Sequence, residues 1–385
     1  MNVLGNKVYN MIPIDRMFGW SHFMKYDDMN KITSDMFQYT DMADETEVNV
    51  YIDLGSLTDI VYMNITKESN DPTELASVVL NMAGHIRSFF RTCDVYATIF
   101  FVYSRNNWNL LKSMYDEYRS NSHRSDKTYR LKYIEDSMKL VDMICKYLPR
   151  VYYISDVAEC GGIIYDTIMK ERYQYNNNHP NVIFTRENNL LQLVLDNRTV
   201  IYYKHAMDKI CFGINRNNVI SSYIKLTKRY NPIYDNPEAD IILQITKQGT
   251  CFINKSKRLE NIGRIIHCFN PDKLPYLITL TNLPSRGIKY LIPWTAAIEA
   301  LHKIDPFVDD PILVYNTLEY ETKIFNKIGY EEFVNRYNVI SIRYQAELYN
   351  KNTHLDYHID LCNANELKYI NDHYFIEHYI DLNKF

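Results

Sequence analysis

The segment from Asn181 to Val194 carries the residues best suited to chemistry in this sequence. It reads as a buried strand, a polar turn and the start of an amphipathic helix, with Glu187 in the turn beside Asn188 and Asn189. In α/β folds, sites are built at the carboxyl ends of strands, and carboxylate oxygens are ligands that Mg²⁺ prefers. The turn therefore has the position of a metal site but supplies only one carboxylate beside two amides.

Short apolar strand patterns alternate with helical patterns from Val48 onward. The run Asp71-Pro72-Thr73-Glu74 is a helix start signal, and that helix is expected to end near Arg91. The alternation predicts an α/β fold with a mainly parallel central sheet and helices on both faces. Further strands are expected over 95–103, 151–154, 182–185 and 199–203, and further helices over 107–118, 127–147, 159–173 and 273–304.

The composition argues against several classes of function. The 385 residues carry a formal net charge of −4, unlike the broadly basic surface of a non-specific nucleic-acid binder. The 7 cysteines form no Cys-x-x-Cys pair and no zinc spacing with histidine, so they are interpreted as reduced core thiols. No apolar run is long enough for a membrane span and no signal-like segment opens the chain, which predicts a soluble, intracellular protein without membrane contacts.

Five segments share their order and character with one family of proteins. They are Tyr51–Ser56, Phe101–Trp108 with Met114–Arg124, Glu159–Ile164, Thr185–Val194 and, more faintly, Leu280–Leu301. In order, they resemble the opening strand, the second strand and helical arch, the acidic helix start, the acidic turn and the helix-two-turn-helix of the flap endonuclease and phage-type 5′-to-3′ exonuclease family. The resemblance covers roughly residues 48–345 and implies a PIN-like nuclease fold.

The resemblance also implies a division of the chain. Residues 1–46 are expected to form an N-terminal extension, and 47–235 the PIN-like α/β domain with its helical arch at about 105–148. Residues 236–310 would form a helical, helix-two-turn-helix-like region, and 311–385 a C-terminal extension. Because the resemblance explains neither extension, we expect protein partners to bind there.

The resemblance implies that Asp53, Glu159 and Glu187 are the remaining catalytic and metal-binding carboxylates. Phosphodiester hydrolysis by two Mg²⁺ ions needs several carboxylates, because the cations must be held about 4 Å apart against their mutual repulsion. Three carboxylates would hold one ion weakly, so we expect no resident cofactor, or a single Mg²⁺ or Mn²⁺ if the protein is active. Where the family has aspartates, this chain has Ser104, Gly161, Gly162 and Asn189.

Basic residues at the entry to the arch are the best candidate contact for DNA or RNA in the sequence. A solvated charged helix would have the same composition, so backbone binding and an ordinary surface stay equally open. The helix-two-turn-helix-like segment carries Tyr290, Leu291 and Ile292 where small residues would let N–H groups approach phosphate. The candidate nucleic-acid-binding residues are Arg119, His123, Arg124, Lys127 and Arg130 in the arch, and Arg286 and Lys289 in the later segment.

These observations favour a flap-endonuclease-like protein that has lost its nuclease centre and acts as a binding or structural component of a nucleic-acid-handling complex. Abundant tyrosine (34 residues) and scarce glycine (11) are typical of an AT-rich genome and indicate a virus or phage, hence the host cytoplasm or the virion. Two alternatives stay open. One is an active 5′ nuclease using the three carboxylates with help from Asp156, and the other a DNA-end or flap binder that does not cut, using Arg119, Arg124, Arg130 and Lys289.

Overall fold

The structure, a computed structural model, describes the α/β core of the chain and parts of its later helical region. The described residues are 47–56, 58, 71–92, 94–105, 127–156, 158–194, 198–204, 211–214, 216, 271–281, 301, 315–316 and 329–350. The predicted N-terminal extension, the predicted helix over 107–118 and residues 282–300 lie outside them.

Six strands form one sheet, in the order β3-β2-β1-β4-β5-β6. The first five are parallel to their neighbours, and β6 runs antiparallel to β5. Buried runs of β-branched and aromatic residues, such as the fully buried Asn-Val-Ile-Phe-Thr of β4, are typical of such parallel strands. The predicted α/β fold with a mainly parallel sheet is confirmed. The strands are β1 (Glu47–Asp53), β2 (Tyr96–Ser104), β3 (Val151–Asp156), β4 (Asn181–Thr185), β5 (Thr199–Lys204) and β6 (Cys211–Ile214).

Six α-helices occur in the described part of the chain. The first three connect the parallel strands, and their bounds lie within a few residues of the predicted ones. In the described ranges no helix combines the length and apolar character that a membrane crossing needs. The helices are α1 (Pro72–Thr92), α2 (Lys127–Cys145), α3 (Cys160–Tyr173), α4 (Leu274–Thr281), α5 (Tyr330–Ile340) and α6 (Ile342–Asn350).

The predicted amphipathic helix after Glu187 is wrong. The segment forms a short 3₁₀ helix, Asn188–Leu193, followed by a return to β5 at Thr199. All four residues from Leu190 to Leu193 are buried, whereas Asn188 and Asn189 at the start of the segment are partly exposed. The reason lies in the tertiary structure, because α4 and α6 both pack on this segment.

The side chains of the sheet alternate between two buried layers. Val48, Val50 and Ile52 point into the core formed with α1 and α2. The opposite face carries a row of stacked rings, in which Phe100 lies 4.9 Å from Tyr51 and 5.3 Å from Tyr152, centroid to centroid. Helix α3 contacts β1 and β2. The sheet is therefore covered on both faces, as the run of parallel strands requires.

The strand order places a crevice between β1 and β4. From β1 the chain moves to β2 on one side, whereas from β4 it moves to β5 on the other. In open α/β sheets, ligands bind at the carboxyl ends of the strands at such a topological switch point. Asp53 ends β1 and Thr185 ends β4, so both lie at this crevice.

We expect Phe100→Ala to lower the free energy of unfolding by about 3–5 kcal/mol, the usual cost of deleting a buried ring. Phe100 is 2% exposed and stacks between two other rings. Denaturant-induced unfolding measures the change. Leu131→Ala is the control, because Leu131 is 50% exposed and should cost less than about 0.5 kcal/mol. Equal denaturation midpoints for the two variants would contradict the stacking of Phe100 between Tyr51 and Tyr152.

Candidate functional site

The Asp53 carboxylate lies at the centre of the crevice and is 1% exposed. Its Oδ1 accepts a hydrogen bond from the backbone N–H of Ser56 at 3.2 Å. Its Oδ2 accepts from the hydroxyls of Ser56 and Thr185, each at 2.7 Å. Because an ionised carboxylate offers about four lone-pair positions, these donors already occupy most of its hydrogen-bonding capacity.

The two hydroxyls also hold the turn after β4. The Ser56 Oγ accepts from the backbone N–H of Arg186 at 3.1 Å, and the Thr185 Oγ1 accepts from the N–H of Glu187 at 3.0 Å. Each hydroxyl therefore donates to Asp53 and accepts from a neighbouring peptide of the turn. This arrangement fixes the β4 turn to the end of β1 without a cation.

The Cys160 thiol closes the inner wall of the crevice. It is buried and free, and it donates to the carbonyl of Val102 at 3.6 Å. Burial raises its pKa well above the usual value, and the nearby carboxylates of Asp53 and Glu159 raise it further. These surroundings favour the protonated thiol over the thiolate. Cys145, the other described thiol, is also buried and free, as the sequence predicted for the cysteines.

Gly161 and Gly162, at the start of α3, let α6 approach closely. A Cβ at position 161 would lie 3.0 Å from the Ile342 Cδ1. A Cβ at position 162 would lie 2.9 Å from the Gln345 Cβ and 3.2 Å from the backbone nitrogen of Ala346. These are the positions where the sequence resemblance places two aspartates. Helix α6 therefore lies directly against the Cβ position of residue 162, and the Ile342 side chain against that of residue 161.

Gln192 fixes the end of α5 and the start of α6. Its Nε2 donates to the carbonyl of Ile340 at 3.1 Å, and its Oε1 accepts from the N–H of Ile342 and the hydroxyl of Thr279, both at 3.4 Å. The side chain is buried, so these contacts satisfy polar groups that would be costly to leave unpaired. The Leu-Gln-Leu run thereby couples the 3₁₀ segment to three helices.

Ser104 lies at the end of β2, beside Asp156 of β3. Its side chain is buried and its Oγ has no hydrogen-bond partner. Asp156 behaves as a turn former, because its Oδ1 accepts from the N–H of Ala158 at 3.3 Å and its carbonyl accepts from the N–H of Arg105 at 2.6 Å. Neither residue adds a convergent carboxylate next to Asp53.

The predicted site residues lie in different surroundings. Asp53 is buried at the end of β1, while Glu159 and Glu187 are half-buried, just before α3 and the 3₁₀ helix respectively. Within the described ranges, no three His, Cys, Asp or Glu side chains come together in a way that could hold a metal ion. Hydrogen-bond donors occupy most of the lone-pair positions of the Asp53 carboxylate, and α6 packs against Gly161 and Gly162. The described residues therefore do not fit a two-metal centre.

The predicted nucleic-acid-binding residues lie mostly outside the described ranges. Lys127 and Arg130 are in the first turn of α2. The others fall on residues that the structure does not describe, namely Arg119, His123, Arg124, Arg286 and Lys289. Sequence reasoning gave no role to Ser56, Thr185 or Gln192, although each lies in or beside a segment that carries the resemblance. Their position next to a strand end was the available signal.

No protein-family model matches the sequence, and no curated protein matches it. Among solved structures, the chain is similar to the bacteriophage T5 flap endonuclease in a pseudo-enzyme–product complex with DNA and metal ions, at 12% identity and a TM-score of 0.33, over 67% of this chain and 100% of that one. A T5 protein co-crystallised with metal ions is 12% identical, with a TM-score of 0.36 over 79% of this chain and 97% of the other. The T5 5′-exonuclease with bound zinc is 10% identical, with a TM-score of 0.34 over 75% and 99%.

The T5 structures belong to the family that the sequence motifs resemble. At TM-scores of 0.33 to 0.36, these likenesses support no conclusion about the crevice of this chain.

We expect Gly162→Asp to destabilise the protein by more than the roughly 1–3 kcal/mol that overpacking costs, because the carboxylate would also be buried against α6. Gly329→Asp is the matched control. Gly329 is the N-cap of α5 and has open space for a side chain, so aspartate there should be neutral or stabilising. Thermal or denaturant unfolding compares the two, and a Gly162→Asp variant as stable as the control would contradict the close approach of α6.

We expect Thr185→Val to lower the free energy of unfolding by about 1.5–3 kcal/mol, since it removes a hydrogen bond to a buried carboxylate. Thr167→Val is the control, because the hydroxyl of the equally buried Thr167 bonds only the carbonyl of Ile163 within α3. Its loss should cost no more than about 1 kcal/mol. If both variants lose the same free energy of unfolding in chemical denaturation, the hydrogen bond from Thr185 to Asp53 stabilises the fold no more than the bond from Thr167 to a neutral carbonyl.

Proposed function

We propose that this chain is a flap-endonuclease-like protein whose nuclease centre is lost, and that it acts as a non-catalytic binding or structural component of a nucleic-acid-handling complex. A viral or phage origin fits the tyrosine-rich, glycine-poor composition. In this proposal the α/β fold is retained as a scaffold, and the surfaces around it bind partners.

The packing of α6 on Gly161 and Gly162 is the observation that carries the proposal. A metal centre needs open volume in front of its carboxylates, so that cations, water and a phosphate can enter. A Cβ at position 162 would lie within 3.2 Å of two backbone atoms of α6, and a Cβ at position 161 would lie 3.0 Å from the end of the Ile342 side chain. The contact at 162 therefore favours glycine, whereas a larger residue at 161 would require the Ile342 side chain to shift.

The hydrogen bonding of Asp53 supports the same conclusion. A hard cation binds carboxylate oxygens that are free to coordinate it. The Oδ2 of Asp53 instead accepts two hydroxyl donors at 2.7 Å inside the protein. A metal at Oδ2 would have to displace at least one of these hydroxyls, which also accept from the N–H groups of Arg186 and Glu187.

We expect the purified protein to leave a 5′-flap DNA duplex uncut in millimolar Mg²⁺ or Mn²⁺, because too few carboxylates converge in the crevice to hold the cations. Gel analysis of an end-labelled flap substrate, with EDTA samples as the background, measures the outcome. The same mixtures, read by fluorescence anisotropy before and after added salt, report whether the flap is bound without being cut.

Metal-dependent cleavage that disappears in both Asp53→Ala and Glu187→Ala would overturn the proposal in favour of an active nuclease. Glu135→Ala provides the control, since Glu135 is an exposed acid on α2 away from the crevice. Cleavage that persists in all three variants would indicate a contaminating nuclease. Binding without cleavage, lost in a variant lacking Arg119, Arg124 and Arg130, would place the flap on the arch.

A further inference from the structure

The 3₁₀ helix that follows β4 is longer than such helices usually are. It runs over six residues, Asn188–Leu193. Runs of more than about 3–4 residues are uncommon, because the hydrogen bonds of a 3₁₀ helix have poorer geometry than those of an α-helix. The next residue, Val194, has a φ of −79° and a ψ of 71°, which is neither helical nor extended. A 3₁₀ run of this length depends on its surroundings for its conformation.

The local sequence of this segment fits an α-helix. On an α-helix, Leu190, Leu191 and Val194 would lie on one face. Asn188 and Gln192 would lie four residues apart on the opposite face. In the structure, by contrast, Gln192 is 4% exposed and lies among the C-terminal helices. The local pattern and the tertiary structure thus favour different conformations of the same segment.

One end of the 3₁₀ segment is fixed to Asp53. The Thr185 hydroxyl donates to the Asp53 Oδ2 at 2.7 Å and accepts from the N–H of Glu187 at 3.0 Å. The first 3₁₀ hydrogen bond follows directly, from the N–H of Leu190 to the carbonyl of Glu187 at 3.1 Å. The Oδ1 of Asp53 accepts from the N–H of Ser56 at 3.2 Å. A displacement of the segment therefore changes the hydrogen bonds of a buried carboxylate.

The other end is fixed to α4, α5 and α6 through one side chain. The Gln192 Oε1 accepts from the N–H of Ile342, 150 positions along the chain, and from the hydroxyl of Thr279. Its Nε2 donates to the carbonyl of Ile340. All four residues are buried, so polar groups left without the Gln192 amide would be costly. The position of these helices and the conformation of the 3₁₀ segment therefore depend on each other.

We propose that the 3₁₀ segment couples the Asp53 crevice to the C-terminal helices and changes conformation when either end moves. Coupling of this kind needs an element with two arrangements whose equilibrium both ends bias. Here the arrangements are the buried 3₁₀ form and an α-helix in which Gln192 leaves its partners. A protein that binds α5 and α6 would then alter the crevice, and by reciprocity a ligand in the crevice would alter α5 and α6. The inference goes beyond the proposed function, because it holds with or without nuclease activity.

The test measures amide hydrogen exchange by NMR on the full 385-residue chain, at both ends of the segment. Thr185→Val removes the hydroxyl at the Asp53 end and should raise the exchange rate of the Ile342 N–H at the other end by about 3-fold or more. Gln192→Met keeps the side-chain volume without the amide. It should raise the exchange rates of the Glu187 and Ser56 N–H groups by about the same factor, the low end of the coupling measured between contacting residues.

Two control variants separate coupling from a general loss of stability. Thr185→Ser keeps the hydroxyl and should leave the exchange rate of the Ile342 N–H within about 2-fold of the original. Ser137→Ala removes a buried hydrogen bond within α2, from the Ser137 hydroxyl to the carbonyl of Tyr133. It should also leave the rate within about 2-fold, because distant sites act independently. The Val50 N–H, in the central strand β1, reports opening of the whole fold.

Three results would overturn the proposal. In the first, Thr185→Val raises the exchange rate of the Glu187 N–H and leaves that of the Ile342 N–H unchanged. In the second, Thr185→Ser changes the Ile342 rate as much as Thr185→Val does. In the third, the Val50 rate rises as much as the others.

The two Thr185 variants decide the question alone if Gln192→Met does not fold, because they test the coupling from the Asp53 end. Flap cleavage enters none of these measurements. The coupling and the loss of the nuclease centre therefore fail independently.

Discussion

The buried Asp53 carboxylate and the hydroxyls that donate to it hold the carboxyl end of the sheet together. Burying a charge is costly unless donors replace the lost water, and here Ser56, just after β1, and Thr185, at the end of β4, supply those donors. The same hydroxyls accept from the peptides of the β4 turn. One carboxylate therefore fixes the positions of two chain segments. A bound cation has this structural role in a metal centre.

The contact of α6 with Gly161 and Gly162 adds a packed interface beside this network. Interiors are close-packed, so the volume in front of α3 is filled either by functional groups and solvent or by another element. With glycine at 161 and 162, the backbone of α6 approaches and buries Ile342 and Ala346. Gln192 then satisfies the polar groups at the α5–α6 junction. An open acidic site at the start of α3 would therefore require the buried interface between α3 and α6 to separate.

The sequence by itself determined the order of the five parallel strands and of the three helices α1 to α3, since apolar runs and start signals such as Asp71-Pro72-Thr73-Glu74 are local. It also indicated that acids are missing at Ser104, Gly161 and Gly162. Only the tertiary structure decided what surrounds these positions, because Thr185 lies 132 positions from Asp53, and the α6 residues that contact the two glycines are more than a hundred positions from them. For the same reason the segment after Glu187 became a buried 3₁₀ turn. Its own pattern favours a helix, but the burial imposed by α4 and α6 outweighs that local preference.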